Sequence, residues 1–176
     1  MIERIIIAGS GGQGVMLLGK VLAQAAMEEG KFVSWFPCYG AEVRGGTAYC
    51  MVVISDKQIG SPYIQQADTL IIMNELSLEK FKGRVKKGGL LIVNSSLIPK
   101  YMNNNISVLQ LPFTDTALKL GNIKVANMAA LGCFLTQKKI VSLKGVEHVI
   151  SEIAPQDKKG LIEINRKALN EGAKLK

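Results

Sequence analysis

The segment from residue 3 to residue 14, which reads ERIIIAGSGGQG, constrains the fold of this chain more than any other. Its run of isoleucines, Ile5 to Ile7, predicts a strand covered on both faces, because β-branched apolar residues favour strands and no polar residue interrupts them. Residues 15–27 are rich in Leu, Ala, Gln and Met and predict a helix. A buried strand, a glycine turn and a helix in this order indicate an α/β fold.

The turn between this strand and helix has the spacing of a phosphate-binding motif. Gly9, Gly11 and Gly14 fit the pattern G-x-G-x-x-G, and Gly12 adds a further glycine. Glycines let backbone N–H groups approach an anion, and a helix N-terminus adds partial positive charge. The spacing alone leaves two interpretations open: a phosphate or nucleotide site, and a tight turn that needs only glycine conformations. Gln13 could likewise bond a ligand or hold the turn, and we favour the turn.

The end of the next predicted strand, residues 31–36, weakens a nicotinamide-binding interpretation. In a Rossmann domain, an Asp or Glu at the end of this strand holds the ribose hydroxyls. Here Pro37, Cys38 and Tyr39 occupy that place, and the first carboxylate after them is Glu42. A free-standing NAD(P)- or nucleotide-binding enzyme is therefore the alternative hypothesis rather than the favoured one.

A glycine-rich loop at residues 37–46 brings several candidate binding residues together. It carries Tyr39, Glu42 and Arg44 among its glycines. Loops on rigid scaffolds are frequent places for binding residues. Arg44 is the candidate for an anion, since a guanidinium can bridge two phosphate oxygens. A salt bridge with Glu42 and a contact with a neighbouring subunit are the alternatives for Arg44.

The rest of the chain completes a sheet and then becomes helical. Further strands are predicted at residues 47–54, 68–73, 90–93 and 106–111. Helices are predicted at residues 76–85, 114–120, 125–136, 142–154 and 159–171. We also predict a short helical piece near residues 63–66, a turn at residues 86–89, and Thr114 as the N-cap of its helix.

These elements predict a single domain over residues 1–176. We expect a three-layer αβα domain of the α/β class, with an open, mostly parallel sheet and a helical C-terminal part. The third strand follows its predecessor without a helix between them, so it is free to run antiparallel and make the sheet mixed.

Charge and hydropathy limit the partners of the chain. Its net charge is +8, but the lysines are scattered in pairs and aromatic residues make up only 6%, which argues against nucleic acid binding. A positive balance suits an anionic small molecule or an acidic partner. No apolar run approaches the ~18–20 residues of a membrane span, and Glu3 and Arg4 lead into a strand rather than a signal peptide. We therefore expect a cytoplasmic protein without membrane contact.

The cysteines and the histidine argue against a redox or metal centre on this chain. Cys38, Cys50 and Cys133 lie far apart without any C-x-x-C, so they cannot ligate an iron–sulfur cluster, which takes four thiolates. His148, the single histidine, makes a zinc site improbable and is expected on a helix surface. We predict no catalytic residue and no metal ligand, and expect any redox cofactor on another chain.

Three segments in one order carry a resemblance to a known family. They are the glycine turn at residues 9–14, the loop at residues 37–46, and Asn127-Met128 leading to Leu131-Gly132. Together they closely resemble the gamma subunit of 2-oxoacid:ferredoxin oxidoreductases, which is equivalent to the gamma domain inside fused pyruvate:ferredoxin oxidoreductases. The similarity runs over essentially the whole chain.

This resemblance implies an enzyme assembled from several subunits. Members of the family decarboxylate a 2-oxoacid on thiamine diphosphate, pass electrons through [4Fe-4S] clusters to ferredoxin, and transfer the acyl group to coenzyme A. The thiamine diphosphate, its Mg and the clusters are expected on alpha, beta and, where present, delta subunits. The chain has no Gly-Asp-Gly segment followed by paired Asn, the usual thiamine diphosphate signature. It would therefore not be catalytic alone and would contribute to the coenzyme A site and to assembly.

The resemblance also implies which residues approach the shared ligand, and it leaves the substrate open among several 2-oxoacids. We favour 2-oxoglutarate over pyruvate and branched-chain oxoacids, because chains without a fused ferredoxin-like extension are common in 2-oxoglutarate enzymes. The glycine turn would approach either phosphate or a neighbouring subunit, with the loop beside it. The predicted cofactor-binding residues are Gly9, Gly11, Gly12, Gln13, Gly14, Tyr39, Gly40, Glu42, Arg44, Gly45 and Gly46.

Overall fold

The computed structural model describes residues 1–38, 47–153 and 159–175. Within them, six strands form one sheet in the order β2-β3-β1-β4-β5-β6. The strands are β1 (Ile2–Ser10), β2 (Phe32–Cys38), β3 (Thr47–Ser55), β4 (Ala67–Ile72), β5 (Val85–Asn94) and β6 (Ser107–Leu111). Strand β3 runs antiparallel to both of its neighbours, and the other pairs are parallel. The sheet is therefore open and mixed, as the sequence allowed.

Helices cover the two faces of this sheet unequally. The helices are α1 (Val15–Glu28), α2 (Glu75–Phe81), α3 (Phe113–Lys119), α4 (Ala126–Lys138), α5 (Leu143–Ile153) and α6 (Lys159–Lys174). Helices α1, α3, α4, α5 and α6 pack on one face, with Ile5 and Ile7 of β1, and α2 packs on the other face, with Ile6. The three-layer αβα prediction is confirmed, and burial on both faces explains the unbroken apolar run of β1. None of the described helices has the length and apolar character needed to cross a bilayer.

Three local predictions were wrong. Residues 63–66 form no helix; their chain is irregular, with Ile64 buried at 1% exposure beneath the sheet. Residues 86–89 lie within β5 rather than in a turn, and Gly88, with φ of 72°, accompanies a register shift against β4. Helix α3 begins at Phe113 with Pro112 as its N-cap, because the hydroxyl of Thr114 accepts a hydrogen bond from Asn94 instead.

Two glycines bring helices α4 and α6 into backbone contact. A Cβ atom on Gly132 would lie 1.9 Å from the carbonyl oxygen of Leu169. A Cβ atom on Gly172 would lie 1.9 Å from the carbonyl oxygen of Ala129. Separations this short are impossible for a real side chain, so both positions require glycine for packing. This contact gives Gly132, which lies in the third segment of the family resemblance, a structural role.

Candidate functional site

The glycine turn joins the end of β1 to the start of α1, and its glycines meet different requirements. Gly12 and Gly14 have φ values of 90° and 71°, a region that other residues adopt only with strain. Gly9 is buried, and a Cβ there would lie within 3.0 Å of the Gln13, Val15 and Met73 side chains. Neither backbone conformation nor close packing requires glycine at position 11. Its φ is not positive, and a Cβ there would meet nothing within 4 Å.

Gln13 holds this turn from inside. Its Oε1 accepts a hydrogen bond from the backbone N–H of Ser10 at 2.7 Å. Its Nε2 donates to the carbonyl oxygen of Met73 at 3.2 Å, which fastens the turn to the end of β4. Both ends of the amide are therefore occupied by backbone groups, so the described contacts give Gln13 the turn-holding role.

The N-terminus of α1 has the electrostatic character of an anion site. Gly14 is its N-cap and supplies no side-chain hydrogen bond, and the first turn contains no acidic residue. The first N–H groups of a helix lack intrahelical partners and carry partial positive charge. Gly11 and Gly12, which lead into this end, are exposed. A phosphate could therefore approach these N–H groups from solvent.

This turn lies at the topological switch point of the sheet. Strands β1 and β4 are parallel neighbours. The helices that follow them, α1 and α2, pack on opposite faces. In open α/β sheets, ligands bind in the crevice outside the carboxyl ends of strands at such a point. The position of the turn thus supports a binding site independently of its glycine spacing.

A partly buried network of amide and hydroxyl side chains lies beneath this crevice. Asn74 donates through Nδ2 to the hydroxyl of Ser10 at 2.6 Å. Asn94 donates through Nδ2 to the carbonyl of Met73 at 3.3 Å and to the hydroxyl of Thr114 at 2.8 Å. These bonds tie together the ends of β1, β4 and β5 and the start of α3. Sequence reasoning missed this network; its one signal is an asparagine at the carboxyl end of two parallel strands.

Asn127 connects the first and third segments of the family resemblance. Its side chain is 1% exposed, and its Nδ2 donates to the carbonyl oxygen of Gly14 at 3.1 Å. A Cβ on Gly14 would lie 2.4 Å from that Nδ2, so glycine is required there for close approach as well as for φ. Helix α4 thus fixes the position of the glycine turn through one amide.

A small cleft opens between the glycine turn, the end of β4 and the start of α4. Its volume is about 160 Å³, below the ~300 Å³ of ordinary ligand pockets, so the described residues alone do not enclose a space of cofactor size. Leu97 and Ile123 on its rim are 47% and 54% exposed, and Lys124 adds a cation. The lining residues are Gly12, Gln13, Met73, Leu97, Thr114, Ile123, Lys124 and Ala126.

The second predicted loop begins and ends beside this crevice. Its site residues Tyr39, Gly40, Glu42, Arg44, Gly45 and Gly46 lie outside the described residues. The flanking residues are described: Cys38 ends β2, and Thr47 begins β3 in register with Ser10 at the glycine turn. The attachment points of the loop therefore lie on the same edge of the sheet as the turn.

The described cysteines do not fit a redox centre. Burial raises the pKa of Cys50 to about 12 and that of Cys133 to about 11, so both stay protonated thiols in the core. Cys38 is half-buried at the end of β2. Because the whole sequence contains three cysteines, it cannot supply the four thiolates of a [4Fe-4S] cluster.

Fold and site together define an α/β domain in which a helix N-terminus without a side-chain cap lies at the switch point of a mixed sheet. Residues 4–175 match the family model described as pyruvate ferredoxin/flavodoxin oxidoreductase. The chain therefore belongs to this family, and the recognition made from the three motifs is confirmed.

Relatives and solved structures agree with this assignment. The ketoisovalerate oxidoreductase subunit VorA of Methanothermobacter marburgensis is 37% identical over 97% of this chain, which spans only 36% of that relative. The 2-oxoglutarate synthase subunit KorC of the same organism is 36% identical over 99% of this chain and 97% of its own length. The keto/oxoacid ferredoxin oxidoreductase gamma subunit of Geobacter sulfurreducens superposes with a TM-score of 0.86, at 31% identity over 98% of this chain and 94% of its own.

One further structure shares the fold. It is the 2-oxoglutarate:ferredoxin oxidoreductase of Magnetococcus marinus, solved with 2-oxoglutarate, coenzyme A and succinyl-CoA bound. It superposes with a TM-score of 0.90 at 23% identity, over 98% of this chain and 30% of that one. At this identity the likeness is one of fold.

Proposed function

We propose that this chain is the gamma subunit of a multisubunit 2-oxoacid:ferredoxin oxidoreductase, in which it contributes to the coenzyme A site and to assembly. The complex would oxidise and decarboxylate a 2-oxoacid to its acyl-coenzyme A and reduce ferredoxin. Thiamine diphosphate, Mg and [4Fe-4S] clusters would be bound by alpha, beta and, where present, delta subunits in the cytoplasm. Family membership and similarity to KorC over almost its entire length support this assignment.

The single observation that carries the coenzyme A proposal is the uncapped N-terminus of α1 at the switch point. Coenzyme A is rich in phosphate, and this helix end suits one phosphate group. We infer that Arg44 reaches the same anion from the second loop and that Lys124 lies across the cleft from the turn. A nicotinamide dinucleotide is a poorer fit, since β2 ends in Phe36, Pro37 and Cys38, with no carboxylate for the ribose hydroxyls.

Exposed apolar side chains around the cleft support the role in assembly. Leu97 and Ile123 are 47% and 54% exposed. Leu97 follows β5 and Ile123 precedes α4, and both line the cleft, which is too small to enclose a whole cofactor. Apolar side chains grouped beside a polar site are typical of surfaces that a partner covers. A partner subunit docked here would complete the walls of the coenzyme A site.

We propose 2-oxoglutarate as the substrate of the complex, on the similarity to KorC over 97% of that subunit. The similarity to VorA at 37% identity makes a branched-chain oxoacid the competitor to measure. The test is to purify the native complex that contains this chain and to follow 2-oxoacid-dependent reduction of ferredoxin. We expect activity to require coenzyme A, with kcat/KM for 2-oxoglutarate at least ~10-fold above those for 2-ketoisovalerate and pyruvate.

Two results would contradict different parts of this proposal. A kcat/KM that favours 2-ketoisovalerate would overturn the substrate and leave the subunit assignment intact. Recovery of the chain as a lone monomer, with no thiamine-dependent partner, would contradict the subunit assignment itself. Saturable binding of NADH by that monomer, followed through the fluorescence of Trp35, would favour the free-standing nucleotide-binding enzyme.

A further inference from the structure

Three side chains that could bind a metal ion lie close together on the surface, where helices α1 and α5 meet. Glu28 is the last residue of α1, and His148 and Glu152 lie one turn apart on α5. One ligand atom from each of these side chains lies within 4.8 Å of the other two. The Nε2 of His148 is 3.3 Å from the Oε1 of Glu152. This group is remote in sequence from every residue of the glycine turn and its cleft.

The spacing suits a tetrahedral ion. Zinc binds imidazole nitrogen and carboxylate oxygen at ~2.0–2.2 Å, so its ligand atoms lie about 3.3–3.5 Å apart. The His148–Glu152 pair already has this separation. Small rotations of the exposed Glu28 side chain would bring its carboxylate to the same distance. An imidazole with two carboxylates is a donor set of the divalent transition metals, and the two carboxylates would neutralise the ion.

Gln24 offers a fourth ligand. It lies one turn before Glu28 on α1, and its Nε2 donates to Glu28 at 3.0 Å and to Glu152 at 3.3 Å. The amide therefore bridges the two carboxylates. A half-turn of the amide would direct its carbonyl oxygen toward them in place of the NH₂ group. Two pairs of residues, each one helical turn apart, would then surround the ion.

The charges at this site favour a cation. Within residues 1–38, 47–153 and 159–175, no lysine or arginine forms an ion pair with Glu28, and Glu152 pairs only with His148. Two carboxylates are thus held near each other by a neutral amide and an imidazole. A single histidine in the sequence argued against a zinc site. The fold, however, places the carboxylates of Glu28 on α1 and Glu152 on α5 beside that histidine.

We propose that Glu28, His148 and Glu152, with Gln24 as the fourth ligand, form a surface site for a divalent transition metal of the zinc class that joins α1 to α5. This site does not depend on the proposed function of the glycine turn. An ion bound here would link the helix that begins at the glycine turn to the C-terminal helical layer.

Titration of the full chain with zinc chloride tests this site. We expect one ion per chain with a dissociation constant in the micromolar range. At an ion concentration a hundred times that constant, Tm should rise by about 5–11 °C. His148→Ala and Glu28→Gln should each weaken binding by at least ~100-fold, since each removes a ligand. The visible spectrum of the Co²⁺ form should report tetrahedral coordination and disappear in both variants.

Two control variants make the result specific. Glu163→Gln removes an exposed carboxylate of α6 that pairs with Lys167, and it should leave zinc affinity unchanged. Cys38→Ser removes the only one of the three thiols that is not buried, a soft ligand that could compete for zinc, and it should also leave affinity unchanged. Absence of binding up to ~100 µM zinc, or binding that survives His148→Ala, would overturn the proposal and leave only a polar bridge between two helices.

Discussion

Gly172→Ala is expected to lower the free energy of unfolding of the chain by about 3 kcal/mol and Tm by roughly 6–12 °C. The new methyl group would lie 1.9 Å from the carbonyl oxygen of Ala129, which belongs to the backbone of α4 and cannot rotate away. Helices α4 and α6 must therefore separate, and the buried Leu169 and Ala168 lose packing against the core. Urea denaturation of the full chain measures the loss.

Gly160→Ala is the matched control for this prediction. Gly160 lies on the same helix, and a Cβ there would meet nothing within 4 Å. The substitution replaces glycine with a better helix former, so stability should stay equal or rise by up to ~1 kcal/mol. Equal stabilities for the two variants would mean that α4 and α6 do not meet through their backbones.

Gly11→Glu is expected to raise the KM of the assembled complex for coenzyme A about 30-fold, with little change in kcat. Gly11 is exposed beside the N-terminus of α1, and the new side chain meets open space, so the fold should be unaffected. A carboxylate there opposes a bound phosphate; two like charges about 8 Å apart near a surface repel by about 2 kcal/mol, which corresponds to this factor. A change in KM alone indicates lost binding rather than altered chemistry.

Two further variants test whether the effect of Gly11→Glu comes from the charge of the new side chain, from its size, or from its position in the chain. Gly11→Gln has nearly the same size as Gly11→Glu without its charge, so it should raise the KM for coenzyme A by only about 5-fold. Gly60→Glu places the same charge at another exposed glycine whose Cβ would meet nothing within 4 Å, and it should leave the KM unchanged. If Gly11→Glu and Gly60→Glu give the same KM, the glycine turn does not bind the phosphate.

Much of the fold could be predicted because its signals are local. The apolar run at Ile5 to Ile7 is buried on both faces in β1, and the glycines after it form the turn into α1. The direction of β3 could only be left open, because a strand of the same composition pairs either way. The register shift in β5 also escaped prediction, since two glycines after a pair of lysines look the same in a turn as in a bulge.

The site was predicted in part, because its supporting residues meet only through space. The glycine turn was recognised from spacing, and the switch point beneath it follows from the strand order. Nothing in the local sequence indicates that Asn127 bonds Gly14, which lies 113 positions earlier in the chain, or that Asn94 bonds Thr114. The backbone contact between α4 and α6 could not be predicted either, since a glycine in a helix does not indicate which element packs against it.

Amide hydrogen exchange in the native complex, with and without coenzyme A, tests the central claim most directly. The claim is that the glycine turn and the N-terminus of α1 bind a phosphate of coenzyme A in a site completed by partner subunits. It predicts that coenzyme A slows exchange of the amides in residues 11–17 by about 10-fold or more, as expected for N–H groups that gain a bound acceptor. Unchanged exchange in residues 11–17, with coenzyme A protecting only other subunits, would contradict the claim.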